Sequence, residues 1–204
     1  MNFVLVGAPL SGKGTLSKLL SEHFKIPHIS MGDLLRNVAN GENDISKYVA
    51  KTIKNGKLID DELVKFILED RLSKSDCKNG FVLDGYPRNL TQSTMLDDIV
   101  KIDKVIYSTV SEVTIIKRMA TRFICPKCHT IYNQQTYDKN YCEKCKSALV
   151  KRADDNEKTL LNRIKQFNDE TLPVLNKYMK ENKLVIIANE GNIDDVFKEL
   201  LGKL

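Results

Sequence analysis

Hydrophobic residues follow two rhythms along this chain. Short apolar runs of strand length fall at residues 3–6, 27–29, 81–83, 104–107 and 184–188. Between them lie longer segments whose apolar positions recur at helical spacing: 13–24, 33–40, 45–55, 60–72, 91–99, 112–121, 157–180 and 193–201. An unbroken apolar run implies a strand covered on both faces. Strands that alternate with helices imply parallel pairing, because a parallel connection must cross the sheet and needs a dozen or more residues to do so. The pattern predicts an α/β fold with a five-stranded parallel sheet covered by helices, and ligands gathered at the carboxyl ends of the strands.

Two stretches break the rhythm. Residues 30–59 are helical with no strand of their own, and residues 123–150 are rich in Cys, Lys, Tyr and Asn, with neither a long helix nor a buried strand. Both read as lobes inserted into the α/β core. The second holds too few apolar residues to bury a core alone, so it needs another source of stability.

Composition narrows the picture only slightly. At 204 residues the chain can bury one substantial core. Its 32 Lys and Arg against 27 Asp and Glu give a net charge of +5, which suits a small anionic ligand as well as nucleic acid. No run of eighteen apolar residues occurs, and the first strand begins at once without a basic then apolar leader. The expectation is a protein with no membrane segment, working in the cytoplasm.

The strongest local signal follows the first strand. Residues 7–15 read Gly-Ala-Pro-Leu-Ser-Gly-Lys-Gly-Thr and run directly into a helical segment. A buried strand feeding such a loop can surround a polyphosphate with backbone N–H groups, while Lys13 adds a positive charge and the next helix offers its N-terminus. The spacing fits G-x-x-x-x-G-K, but Gly14 follows the lysine and the hydroxyl comes one residue later, at Thr15.

Four of the five cysteines form Cys125-x-x-Cys128 and, after thirteen residues, Cys142-x-x-Cys145. Each knuckle brings two thiolates near one point, and zinc is the usual occupant of a four-sulfur site in a reducing compartment. Two disulfides or a redox pair are the weaker alternatives. Four protein thiolates leave no open coordination position, which points to a structural ion. His129, beside Cys128, reads as a loop residue.

The arginines cluster at strand ends and lobe junctions: Arg36, Arg88, Arg118, Arg122, Arg152 and Arg163. Arginine forks onto phosphate oxygens. Arg118 and Arg122 are one helical turn apart, and such a pair on one helix face sets two guanidiniums side by side.

These motifs together resemble the adenylate kinase family, in its long-lid form with a zinc-bearing lid. The resemblance runs in order over nearly the whole chain. Gly7-Ala8-Pro9 with Ser11-Gly12-Lys13-Gly14-Thr15 resembles the family's phosphate loop. His28-Ile29-Ser30 with Gly32-Asp33 and Leu35-Arg36, then Gly56-Lys57-Leu58-Ile59, resemble its monophosphate-binding lobe. The segment Phe81-Val82-Leu83-Asp84-Gly85-Tyr86-Pro87-Arg88 with Gln92 is the most specific match. Arg118, Arg122, the four cysteines, Ile131-Tyr132, Arg152, Asp154-Asp155 and Arg163 complete the lid and its hinges.

The resemblance implies a P-loop kinase core at 1–29, 60–120 and 156–204, a helical monophosphate-binding lobe at 30–59 and a zinc-bearing lid at 121–155. It implies reversible transfer of the γ-phosphoryl group of ATP to AMP, with Mg2+, giving two ADP and so maintaining adenine nucleotide balance, by a monomer that binds neither nucleic acid nor membrane. Phosphoryl transfer asks mainly for in-line positioning and cations. No general base is needed, since a phosphomonoester with a second pKa of about 6 is mostly a dianion at neutral pH. The implied catalytic set is Lys13, Asp84, Arg88, Arg122, Arg152 and Arg163, with Asp84 ordering the magnesium shell through water. ATP would lie on Leu10, Ser11, Gly12, Lys13, Gly14 and Thr15, under Arg118, Arg122, Ile131 and Tyr132, and beside Asn192. AMP would meet Met31, Arg36, Lys57, Leu58, Ile59, Gly85, Tyr86, Pro87, Arg88 and Gln92, with Arg152 and Arg163 closing over it. Asp154 and Asp155 would orient the lid arginines.

Several residues depart from the family pattern. Leu10 stands where Gly is usual and Met31 where a Thr hydroxyl meets AMP. Losing that hydrogen bond is worth about 1 kcal/mol, which weakens or broadens the choice of acceptor. Two alternatives follow: a kinase for another nucleoside monophosphate, or a zinc-ribbon nucleic-acid module driven by a P-loop ATPase. The second leaves Arg36, Arg88 and the segment 84–88 unexplained.

Overall fold

The computed structural model describes residues 1–128, 130–151 and 155–204. In chain order the elements are β1 (Asn2–Val6), α1 (Lys13–Phe24), β2 (His28–Ser30), α2 (Met31–Ala39), α3 (Asp44–Lys54), α4 (Asp61–Leu72), β3 (Phe81–Asp84) and α5 (Leu90–Ile99). They continue as β4 (Lys104–Thr109), α6 (Glu112–Thr121), β5 (Arg122–Ile124), β6 (Ile131–Asn133), α7 (Glu157–Gln166), α8 (Leu172–Lys180), β7 (Leu184–Ala188) and α9 (Ile193–Leu201). The five predicted strands form one parallel sheet in the order β2-β3-β1-β4-β7.

The two-residue alternation of a strand sorts the core into two layers. Val4, Val6, Leu83 and Val105 face one side and pack with Leu68 of α4, Leu96 of α5, and Val174 and Tyr178 of α8. Phe3, Leu5, Val82, Ile106 and Ile187 face the other and pack with Leu16 and Leu20 of α1 and Val196 and Leu200 of α9. Because β1 is central, with Val4 aligned with Leu83 on one side and Val105 on the other, its following loop emerges beside the loop that follows β3. That adjacency puts the residues at 7–15 and 84–88 on one rim of the sheet.

The elements differ from the sequence pattern at three places. The start of α2 lies at Met31, earlier than the apolar spacing indicates, because the Ser30 hydroxyl accepts from the Asp33 N–H at 3.2 Å and so caps the turn. The expected helix over 157–180 is broken by a π-helical turn at Phe167–Thr171. Pro173, in the first turn of α8, has no N–H to give to the carbonyl four residues earlier, so the ladder cannot run through evenly. Within 123–150, β5 and β6 pair antiparallel, with Phe123 opposite Tyr132, and Ile124 bridges to Val150. The apolar content there is low, and the alternation over three residues is too short to be seen against the surrounding polar sequence.

Candidate active site

The phosphate loop is held from behind by side chains of distant elements. Gly12 adopts φ 82°, a conformation that glycine reaches without a Cβ clash, and a Cβ there would stand 2.5 Å from Asn189 Nδ2. Asn189, just after β7 and buried, donates from Nδ2 to the Ser11 carbonyl at 2.8 Å and to Ser108 Oγ at 3.2 Å. Arg118 of α6 donates to the Leu10 carbonyl at 3.1 Å and to the Asn189 carbonyl at 2.8 Å. These bonds take up the Leu10 and Ser11 carbonyls and hold the loop in place, and the N-terminus of α1 that follows suits an anion. Thr15 is exposed on the first turn of α1.

Lys13 lies at the centre of a concentration of positive charge. Burial lowers the pKa of its ammonium to about 8; Asp84 opposes the shift, and Arg163, Arg88 and Arg122 add to it. The three guanidiniums come from the loop after β3, from α7 and from the start of β5, so four chain segments deliver cations to one place. Asp84, at the end of β3, is buried. Burial opposes its ionisation, but the neighbouring His28 ring and the charges of Lys13 and Arg88 outweigh it and hold its pKa below the ordinary range. His28 Nε2 lies 3.8 Å from Asp84 Oδ2, and Asp84 Oδ1 is buried with no hydrogen-bond partner among the described residues. An ionised, incompletely satisfied carboxylate of this kind fits a hydrated magnesium ion carried in with a polyphosphate.

Beside this centre a cleft of about 600 Å³ is lined by Met31, Arg36, Lys57, Leu58, Ile59, Gly85, Tyr86, Arg88, Gln92 and Arg163, among others. A second cleft of about 480 Å³ adjoins it, with Lys13, Pro87 and Gln166 in its lining, and the two share Leu58, Gly85, Arg88 and Arg163. Arg88 is held by its own loop, Nε donating to the Gly85 carbonyl at 2.9 Å. Thr171 of the π-helical turn donates to the Arg88 carbonyl at 2.8 Å. Gln92 is fixed at both ends: its Oε1 accepts from the Arg88 N–H at 2.7 Å and its Nε2 donates to Asp61 at 2.7 Å. Arg36 is paired with Asp33. Met31 is buried at 1% exposure and presents no hydrogen-bonding group to the cleft wall.

The cysteine-bearing segment lies over the phosphate loop, close enough that a Cβ on Gly14 would stand 3.9 Å from Ile131 Cδ1. Arg122 is ion-paired with Asp155 through a two-pronged contact. The helix ends at Thr121 and Arg122 is already extended, so Arg118 and Arg122 do not stand side by side on one helix face as their spacing had implied. Arg118 turns back to the loop and Arg122 turns to Asp155. Arg152 and Asp154 lie outside the described residues.

Cys125, Cys128, Cys142 and Cys145 place their sulfurs within 4.8 Å of one another, with contacts of 3.3, 3.4 and 3.8 Å. All four are free thiols. A tetrahedron with metal–sulfur bonds of about 2.3 Å has sulfurs about 3.8 Å apart, so the group fits a four-coordinate metal ion. Burial opposes ionisation of Cys142, but hydrogen bonds from the Tyr132 hydroxyl and from backbone N–H groups prevail and lower its pKa. The Tyr132 ring packs at a tilt against Tyr137, with centroids 4.5 Å apart, and its hydroxyl contacts Cys142 Sγ at 3.2 Å.

Among the remaining sequence candidates, Asn192 caps α9 by accepting from the Asp194 N–H. Asn189, three residues earlier, makes the loop contacts instead. The sequence reading missed Asn189 and Asp61. Each is an ordinary polar residue at the edge of an element, and only the topology brings it to the site. The single signal for Asn189 was its position at the carboxyl end of a predicted strand.

Comparison with known proteins agrees with this geometry. The sequence model of one family, described as adenylate kinase, matches residues 5–183. An adenylate kinase of Thermosipho africanus is 41% identical over 209 residues, covering 98% of each chain. One from Acetivibrio thermocellus is 39% identical over 214 residues, covering 100% of this chain and 98% of its own. One from Thermotoga petrophila is 39% identical over 207 residues, covering 97% of this chain and 94% of its own.

Proposed function

This chain belongs to the adenylate kinase family, enzymes that convert ATP and AMP to two ADP, and from that premise we propose how its residues divide the work. The observation that carries the reading is that Arg88 and Arg163 line both adjoining clefts and, with Arg122, act on the charge of Lys13, which lines the second.

The donor ATP lies along the loop, with Lys13 and the amides of residues 10–15 on its β and γ phosphates and Thr15 beside them. Arg118, Arg122, Ile131, Tyr132 and Asn192 complete its surroundings. The acceptor AMP occupies the larger cleft, its phosphate gripped by Arg36 and Arg88. Gln92, held in one orientation by Asp61 and the Arg88 N–H, presents its amide to the base, and the backbone of Lys57, Leu58 and Ile59 lines the same wall. Met31, Gly85, Tyr86 and Pro87 close the cleft. Arg152 and Arg163 shut over the transferring group.

An AMP phosphate oxygen attacks the γ-phosphorus in line, the bond to the β-phosphate oxygen breaks, and the charge on the transferring group meets fixed guanidiniums instead of water. Each reactant is held in place, which removes most of the entropy cost of bringing two anions together. Mg2+ bound with ATP would neutralise charge on the β and γ oxygens, and Asp84 is the residue fitted to order its water shell. Residues 30–59 form the lobe that carries AMP and residues 121–155 the lid. The four cysteines would hold zinc, which would keep the lid's shape and take no part in the chemistry. A four-thiolate site needs a reducing compartment, and we read the protein as a cytoplasmic monomer. Among the described residues, no helix is long and apolar enough to cross a membrane.

A coupled assay of ADP formation from ATP with AMP, CMP, UMP or GMP tests the assignment. AMP should give the highest kcat/KM. A better acceptor among the other three, or ATP hydrolysis stimulated by nucleic acid without AMP phosphorylation, would contradict it.

A further inference from the structure

Leu10 stands in the phosphate loop at φ 64°, a left-handed conformation that crowds the Cβ of every residue except glycine. Its side chain is 8% exposed and belongs to a separate apolar cluster with Ile115 of α6 and Leu160 of α7, flanked by Met119 and Ile164. Its carbonyl accepts from Arg118, also on α6. The segment carrying the four cysteines is strung between α6 and α7. A strained backbone persists only where its surroundings over-determine it. Here the surroundings are the two helices at the root of the lid.

We propose that Leu10 is a positioning residue that couples the phosphate loop to the lid. It is a buried apolar peg on which α6 and α7 both seat, and it favours the arrangement in which Ile131 lies over Gly14. The inference rests on the reading of residues 121–155 as a lid. The Leu10 side chain needs no contact with substrate to act this way; only its backbone amide, which every variant keeps, faces the ATP phosphates. A state in which both helices reach the peg gains its packing, and a state in which either swings away does not, so the peg biases the population toward closure. Removing it loosens the lid over ATP. Where lid opening limits turnover, kcat is then unchanged or higher while KM for ATP rises.

Three variants separate packing from backbone strain. Leu10→Ala removes the peg and keeps the strain, Leu10→Gly removes both, and Leu10→Met keeps a peg of similar volume. We expect Leu10→Ala and Leu10→Gly to raise KM for ATP about fivefold to tenfold, with KM for AMP within about twofold and kcat undiminished. Leu10→Met should restore KM for ATP to within about twofold of the parent. Leu10→Gly should melt higher than Leu10→Ala, because it alone releases the left-handed strain. The same ratios should appear in equilibrium titration with ATP alone, which reads the coupling independently of phosphoryl transfer. If the parent makes no ADP from ATP and AMP, the kinase reading fails, and the titration still decides the role of Leu10. An ATP affinity within about twofold of the parent in both Leu10→Ala and Leu10→Gly overturns the proposal, as does a fall in kcat with KM unchanged.

Discussion

Burial and three neighbouring guanidiniums bring Lys13 to a pKa of about 8, so in the free protein its charge is mostly present at pH 7 and is lost as pH rises through that value. Since kcat/KM reports the titration of the free enzyme, kcat/KM for ATP should fall above pH 8, by up to about tenfold per pH unit. Lys13→Arg cannot lose its proton, so it should abolish that fall while lowering the absolute value. A parent profile that stays level to pH 9.5 would contradict the role of the Lys13 charge. Arg88 makes a different test. It lines both clefts and its charge reaches Lys13, so Arg88→Ala should lower kcat/KM for AMP by about 100-fold to 1,000-fold while leaving ATP affinity nearly intact. A loss below tenfold would place Arg88 away from the reacting phosphate. At this scale the sequence was informative where a residue type has one use. Gly12 at φ 82° was legible because a phosphate loop needs a glycine there, and Arg88 because the segment 81–88 is the most specific part of the resemblance. The left-handed backbone of Leu10 was not, since no pattern of residue types announces a conformation that leucine avoids.

Among the elements, the cysteine-bearing segment has the least apolar support. Its two strands are three residues each, and a buried sulfur group takes the place of a core. Removing a bound metal should therefore lower the melting temperature by about 4–8 °C, equivalent to about 2 kcal/mol in a chain of this size. Activity at 25 °C should fall much less, and calorimetry beside a rate assay, before and after chelation, reads both. An unchanged melting temperature would remove the structural role. The five sheet strands were readable because each is a run of apolar residues. The β5–β6 hairpin was hidden by its shortness and polar neighbours. Pro173 was in plain view inside the helical pattern over 157–180, but the π-helical turn it accompanies delivers Thr171 to Arg88, a consequence that belongs to packing.

At the scale of the molecule, the site is assembled from the ends of β1, β3 and β7, the last turn of α7 and the cysteine-bearing segment, which are far apart in sequence. The sheet order brings the first two together, and α6 and α7 bring the cysteine-bearing segment across them. Asn189 and Asp61 escaped the sequence reading for this reason: each supports a site residue more than thirty positions or most of the chain away, Asp61 through Gln92 and Asn189 through Ser11. The central claim is that two nucleotides meet end to end at the cations around Lys13. The most direct measurement is inhibition by a single molecule that joins two adenosines through a polyphosphate. It should bind once per chain and compete with both ATP and AMP. Competition with ATP alone, leaving AMP binding undisturbed, would contradict the account.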